Sequence, residues 1–146
     1  MYQFKKINED EYILISNDKQ FPFKRTVDLA KTVQSIDLKT TIKLAEVLAE
    51  RGETLENTKL RIERKSGSET IIDESNLRMI EKKLRDIAWS EVADEIYKKL
   101  FNKSVLEMIK ELGIDNDVEM VKKFSSEFFG ILVNGLDDNT PRNENT

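Results

Sequence analysis

The stretch ESNLRMIEKKLRDIAWSEVADEIYKKLF, Glu74 to Phe101, contains neither glycine nor proline. Leu77, Ile80, Leu84, Ile87 and Ala88 recur in it at helical spacing, and Val92, Ile96 and Leu100 continue the stripe. A chain that commits this much length to one amphipathic helix must bury the stripe against other elements. Ser75 or Asp73 stands where an N-cap is wanted, and Asn102 marks the end. Beyond it, Ser104 predicts the cap of a short helix through Leu112, stopped by Gly113. A last helix is predicted to start near Asp115 or Asp117, with Gly135 just past its end.

The first third of the chain has a different rhythm. Tyr2 and Phe4 alternate with polar neighbours, and Tyr12 to Ile15 is rich in β-branched and aromatic residues, so YQFKK and EYILIS predict a β-hairpin around Asn8 to Asp10. A turn at Asn17 to Lys19 leads into QFPFKR, where Pro22 restricts that segment to a sheet edge. TVDLAKTVQSID fits helix and strand equally well. DLKTTIKLAEVLAERG then places Leu38, Ile42, Ala45, Leu48 and Ala49 on one helical face, with Asp37 as the expected N-cap and Gly52 beyond the C-terminus. TKLRIER alternates Leu60 and Ile62 with charges. With KSGS as the turn and ETIID following, it reads as a second hairpin. The predicted fold class is α+β: N-terminal hairpins with one helix, followed by a helical C-terminal half. Residues 1–135 read as a single domain and residues 136–146 as a disordered polar tail.

Composition excludes several chemistries. The chain has 146 residues, 38% hydrophobic and 36% charged, with a net charge of −4. Interspersed charge of that sign argues against nucleic acid as a partner. No apolar run is long enough to span a membrane, and the N-terminus lacks the apolar segment of a signal peptide, so a cytoplasmic protein is expected. With no cysteine and no histidine, thiolate nucleophiles, thiolate zinc sites and a Ser-His-Asp relay are all impossible.

The remaining constellations are weak. Asp115, Asp117 and Glu119 alternate as at the start of a calcium loop, but Met120 and Ser126 occupy the positions that need glycine and glutamate. Helix-dipole complementation explains this cluster better. Glu63 and Lys65, at the end of a predicted strand, are spaced as in metal-dependent nucleases, although the nearest upstream aspartate, Asp37, lies a helix away. Thr40 to Ile62 fails as a helix-turn-helix because its second half alternates like a strand. Lys82, Lys83 and Arg85 sit among Glu81 and Asp86, a mixed-charge face. The carboxylate pairs Glu9 with Glu11 and Asp137 with Asp138 fall in a turn and the tail. No cofactor, metal site or catalytic residue is predicted.

Met120, Val121, Phe124, Phe128, Ile131 and Leu132 form a stripe widened by Phe129. The stripe either packs on Trp89, Ile96 and the long helix, or leaves part of itself for a partner. The expected partner-binding residues are Phe124, Phe128, Phe129 and Leu132, with Trp89 and Tyr97 after them.

The order TVQSIDLKTTIKLAEVLAERG, IIDESNLRMIEKKLRDIAWSEVADEI and FSSEFFGILVNG with a short polar end resembles the tail assembly chaperones of long-tailed phages and prophages. The resemblance is one of layout, size and acidity, from about Lys24 to Leu136; the N-terminal hairpins depart from it. It implies a non-enzymatic protein that keeps the tape-measure protein soluble and brings tail-tube subunits to it. It also implies a frameshifted longer product, with LDDNTPRNENT as the ending of the shorter one. The competing expectations are a small regulator or inhibitor of a host protein and, third, a nuclease using Glu63 and Lys65.

Overall fold

Strand β1 (Tyr2–Lys6) turns back into β2 (Glu11–Ser16), and β3 (Lys19–Lys24) follows along the other edge of β2. Both pairings are antiparallel, with Phe4 opposite Leu14 and Tyr12 opposite Phe23. The first turn closes because the Asn8 side-chain oxygen accepts from the backbone N–H groups of Asp10 and Glu11, at 3.0 and 2.9 Å. Asn17 in the second turn takes a left-handed φ of 55°, which asparagine tolerates better than most residues. Pro22 lies on the edge strand, as expected from its missing N–H.

Helices follow: α1 (Val27–Glu50), α2 (Leu55–Arg64), α3 (Glu74–Phe101), α4 (Val105–Glu111) and α5 (Val118–Asn134). The computed structural model describes residues 2–64 and 74–136. The α+β layout read from the sequence is observed. No described helix is long and apolar enough to cross a membrane. Contacts divide the chain into two compact units. Unit 1 holds residues 1–34 and 91–146, and unit 2 holds residues 35–90. The boundary therefore falls within α1 and again within α3.

In unit 1 one face of the sheet is apolar. Tyr2 and Phe4 of β1, Tyr12 and Leu14 of β2 and Phe23 of β3 are all buried. Helix α5 and the end of α3 supply the facing rings: Phe124 and Phe128 lie nearly parallel to Phe4, at 5.7 and 6.0 Å, and Tyr97 is 5.4 Å from Phe128. The caps predicted for the last two helices are present. Ser104 and Glu107 form a reciprocal capping box on α4, and the Asp94 carboxylate accepts from the Val105 N–H at 3.0 Å. Asp117 caps α5 by accepting from the Met120 N–H at 3.1 Å. The end of α5 is fastened to the sheet side of the unit. Arg25 Nη2 donates to the Val133 carbonyl at 3.0 Å, and the Leu136 N–H donates to the Tyr12 hydroxyl at 3.1 Å. Gly135 sits between them at φ 73°, where a Cβ would lie 3.1 Å from that hydroxyl.

In unit 2, Leu44 and Leu48 of α1 and Leu77 of α3 form a buried cluster, with Leu55 and Ile62 of α2 and Ile80 and Leu84 of α3 packed against it. Three expectations are corrected here. The helix carrying Leu38 begins at Val27, capped by Thr26, so Asp37 is mid-helix and pairs with Arg85 instead. TKLRIER is helical, not a strand, and there is no hairpin through it. The α1 face toward the core is Ile36, Thr40, Leu44 and Leu48, whereas Leu38, Ile42, Ala45 and Ala49 face solvent. ETIID, Asp73 and the tail beyond Leu136 lie outside the described residues.

Candidate functional site

The aromatic stripe of α5 is core. Phe124, Phe128 and Leu132 are fully buried, and Phe129 is nearly so. Tyr97 is also enclosed, and Trp89 in unit 2 is half-buried. The expectation that Phe124, Phe128, Phe129, Leu132 and Tyr97 present a surface to a partner is therefore corrected, while Trp89 remains partly exposed. The sheet's inner face is Leu14 among four rings, and rings of α5 fill the space above it in edge-to-face and stacked pairs.

Two of these rings carry displaced titrations. Burial pushes the Tyr97 hydroxyl up to about 12; nearby Ser125 opposes the shift and the Asp94 charge adds to it. Its oxygen is buried with no hydrogen bond of good geometry. Tyr2 is also raised, first by burial and then by Glu127, whose carboxylate accepts from its hydroxyl at 3.1 Å. Both groups hold their protons more tightly folded than unfolded, where a tyrosine titrates near 10. Their contribution is complete below about pH 10; that of Tyr97 is lost as pH rises through about 12, and that of Tyr2 at higher pH still. The melting temperature should thus be flat near neutrality and fall above about pH 10. Tyr97→Phe should flatten part of that fall while keeping or raising stability at pH 7, because it removes an unsatisfied buried hydroxyl. Identical pH–Tm profiles for the two proteins would contradict this.

The other constellations resolve without chemistry. Asp117 caps α5 and Glu119 lies in its first turn. Among the described residues, no group of acidic side chains is arranged to hold a metal ion. Glu63 lies on α2 rather than on a strand, so the nuclease spacing loses its setting, and Lys65 lies outside the described residues. The strand-like alternation that argued against a recognition helix in Thr40 to Ile62 is also overturned, since α2 is helical. Its sequence nevertheless mixes Glu56, Lys59, Arg61 and Glu63, which gives no run of positive charge. Arg85 pairs with Asp37 and lies 3.8 Å from Glu81, as a mixed-charge face would have it. An open cleft of about 530 Å³ in unit 1 is lined by Asp10, Lys24, Arg25, Lys31 and Gln34 among others.

Exposed apolar side chains lie elsewhere, Val27, Met79, Leu106 and Val118 among them, and on one helix they line up. On α1, within unit 2, Leu38 is 62% exposed and Ile42 50%, and Ala45 and Ala49 continue the row at i+7 and i+11. These four residues give three turns of unpartnered apolar helix. Isolated exposed leucines are ordinary, but a row at helical spacing is a surface another helix can cover. The spacing was visible in the sequence; its direction was not. Thr40, a polar residue at a core position, disguised the true inward face. Its hydroxyl donates to the Ile36 carbonyl at 2.8 Å and so tolerates burial.

Comparison of the chain with protein-family models, curated proteins and solved structures gives no match.

Proposed function

We propose that this chain is a non-enzymatic binding protein that covers an apolar stripe of a client through the exposed face of α1. The observation that carries the reading is the row Leu38, Ile42, Ala45 and Ala49, solvent-facing on a helix whose opposite face is already committed to a core. Its resemblance in layout, size and acidity to phage tail assembly chaperones gives the client class. That class is a tape-measure protein, long, helical and prone to self-association, with tail-tube subunits as a second partner, in the bacterial cytoplasm. Covering Leu38 and Ile42 with a client helix would contribute roughly 1–2 kcal/mol each. The net charge of −4 would help keep the complex in solution.

The test is a double substitution, Leu38→Asp with Ile42→Asp. Both side chains are at least half exposed, so circular dichroism and melting should stay close to the parent protein's. Capture of a tape-measure fragment from a co-expressing cell should be lost. Undiminished capture by the folded double variant would overturn the assignment of this face. Phe129→Asp makes no such test, because the ring is buried and the change would disturb the fold itself.

A further inference from the structure

The exposed row on α1 has the 4-3-4 spacing of a coiled-coil seam: Leu38, Ile42, Ala45, Ala49. The residues that follow Leu38 and Ala45 flank the seam on one side, and they are Lys39 and Glu46, of opposite charge. On the other side the flanking residues are Thr41, uncharged, and Leu48, buried in the unit's own core. When two copies of such a helix run antiparallel, equivalent flanking positions meet. Centre the pairing between Ile42 and Ala45. Leu38 then packs beside the second copy's Ala49, and Ile42 beside its Ala45, each large residue against a small one. Lys39 comes opposite Glu46, and the two-fold axis repeats that pair. A parallel pairing would set Lys39 and Glu46 against Gln34 and Thr41 and make neither ion pair.

We infer that the exposed α1 face binds a second copy of this chain, antiparallel, in an isologous dimer held by the Leu/Ile–Ala layers and by two Lys39–Glu46 pairs. The inference goes beyond the client reading and stands whether or not a tape-measure protein is the client. Where both hold, client and second copy compete for one stripe, and the dimer keeps it covered until a client arrives. A contact of three to four helical turns lies at the small end of specific interfaces, so the dimer should be weak, with a Kd of about 10–100 µM.

Sedimentation equilibrium of the full chain from about 5 to about 500 µM spans that range. The expected result is a monomer–dimer equilibrium. Lys39→Glu and Glu46→Lys should each, alone, raise the Kd about tenfold or more by placing like charges opposite one another. An equimolar mixture of the two variants should regain a one-to-one dimer, because each variant then supplies the charge the other lacks. A misfolded variant could not give that recovery. A monomer throughout the range overturns the inference. So does a dimer indifferent to either charge reversal, or a failure of the mixture to recover. The readout is mass in the absence of any client, so its failure is distinct from a failure to capture a tape-measure fragment.

Discussion

Phe128→Ala is expected to remove about 3–5 kcal/mol from the stability of unit 1. Phe128 is fully buried, and the rings of Phe23, Tyr97, Phe101 and Phe4 stand 5.1, 5.4, 5.9 and 6.0 Å from it. Those neighbours belong to two strands and the end of another helix, so they cannot all collapse into the space left behind. Small domains have about 5–15 kcal/mol in total, and the variant should be partly unfolded at moderate temperature. All three tyrosines lie in unit 1 and the single tryptophan lies in unit 2, which separates the probes. Near-ultraviolet circular dichroism of the tyrosines under urea should shift strongly to lower denaturant. Phe128→Leu, which keeps most of the volume, should cost markedly less. A loss under about 1 kcal/mol for the alanine variant would mean that this ring is not the centre of the core.

The second large effect is in unit 2. Leu48→Ala should cost about 2–5 kcal/mol, because Leu48 is fully buried beside Leu44 and Leu77 in a small cluster. Leu38→Ala, on the same helix but on its solvent side, should change stability by no more than about 0.5 kcal/mol. Trp89 fluorescence follows both. The contrast is stronger than either value alone, since the two substitutions delete the same atoms from the same helix. If the costs were reversed, the row including Leu38 and Ile42 would be the packed face, and both the client surface and the dimer would fall with it.

What the sequence disclosed divides along physical lines. Elements whose signals are local chemistry were legible: the alternating hairpin, the Pro22 edge strand, the Ser104 and Asp117 caps and the Gly113 and Gly135 exits. Glycine at positive φ and side-chain caps act over a turn or less, so a short window contains their cause. Orientation was less legible. Helix α2 looks like a strand in the sequence because Leu60 and Ile62 alternate with charges, while its inward row is Leu55, Thr58 and Ile62. As at Thr40, the buried Thr58 hydroxyl donates to the carbonyl four residues back, the Thr54 oxygen, at 2.8 Å. A hydrophobicity pattern counts such a threonine as polar and so points the helix the wrong way. The Phe-rich stripe of α5 raised the opposite problem. Its periodicity was plain, but periodicity says that a face is buried without saying by what. The rings of Tyr2, Phe4, Tyr12 and Phe23, remote in sequence, answered that question.

Unit 1 draws on both ends of the described chain, and this has a consequence for biosynthesis. The Tyr2 hydroxyl bonds Glu127, a residue 125 positions later. At about 5–20 residues per second, translation leaves an interval of roughly 6–25 s between the two. From the completion of β3 until α5 is made, the aromatic side of a nascent three-stranded sheet lacks Phe124 and Phe128, and Tyr97 and Phe101 of α3 arrive only late in that interval. Residues 35–90 form a contiguous unit and can assemble in the meantime. The growing polypeptide thus carries its stickiest patch longest, which makes the ribosome exit, more than the finished molecule, the place where aggregation must be held off.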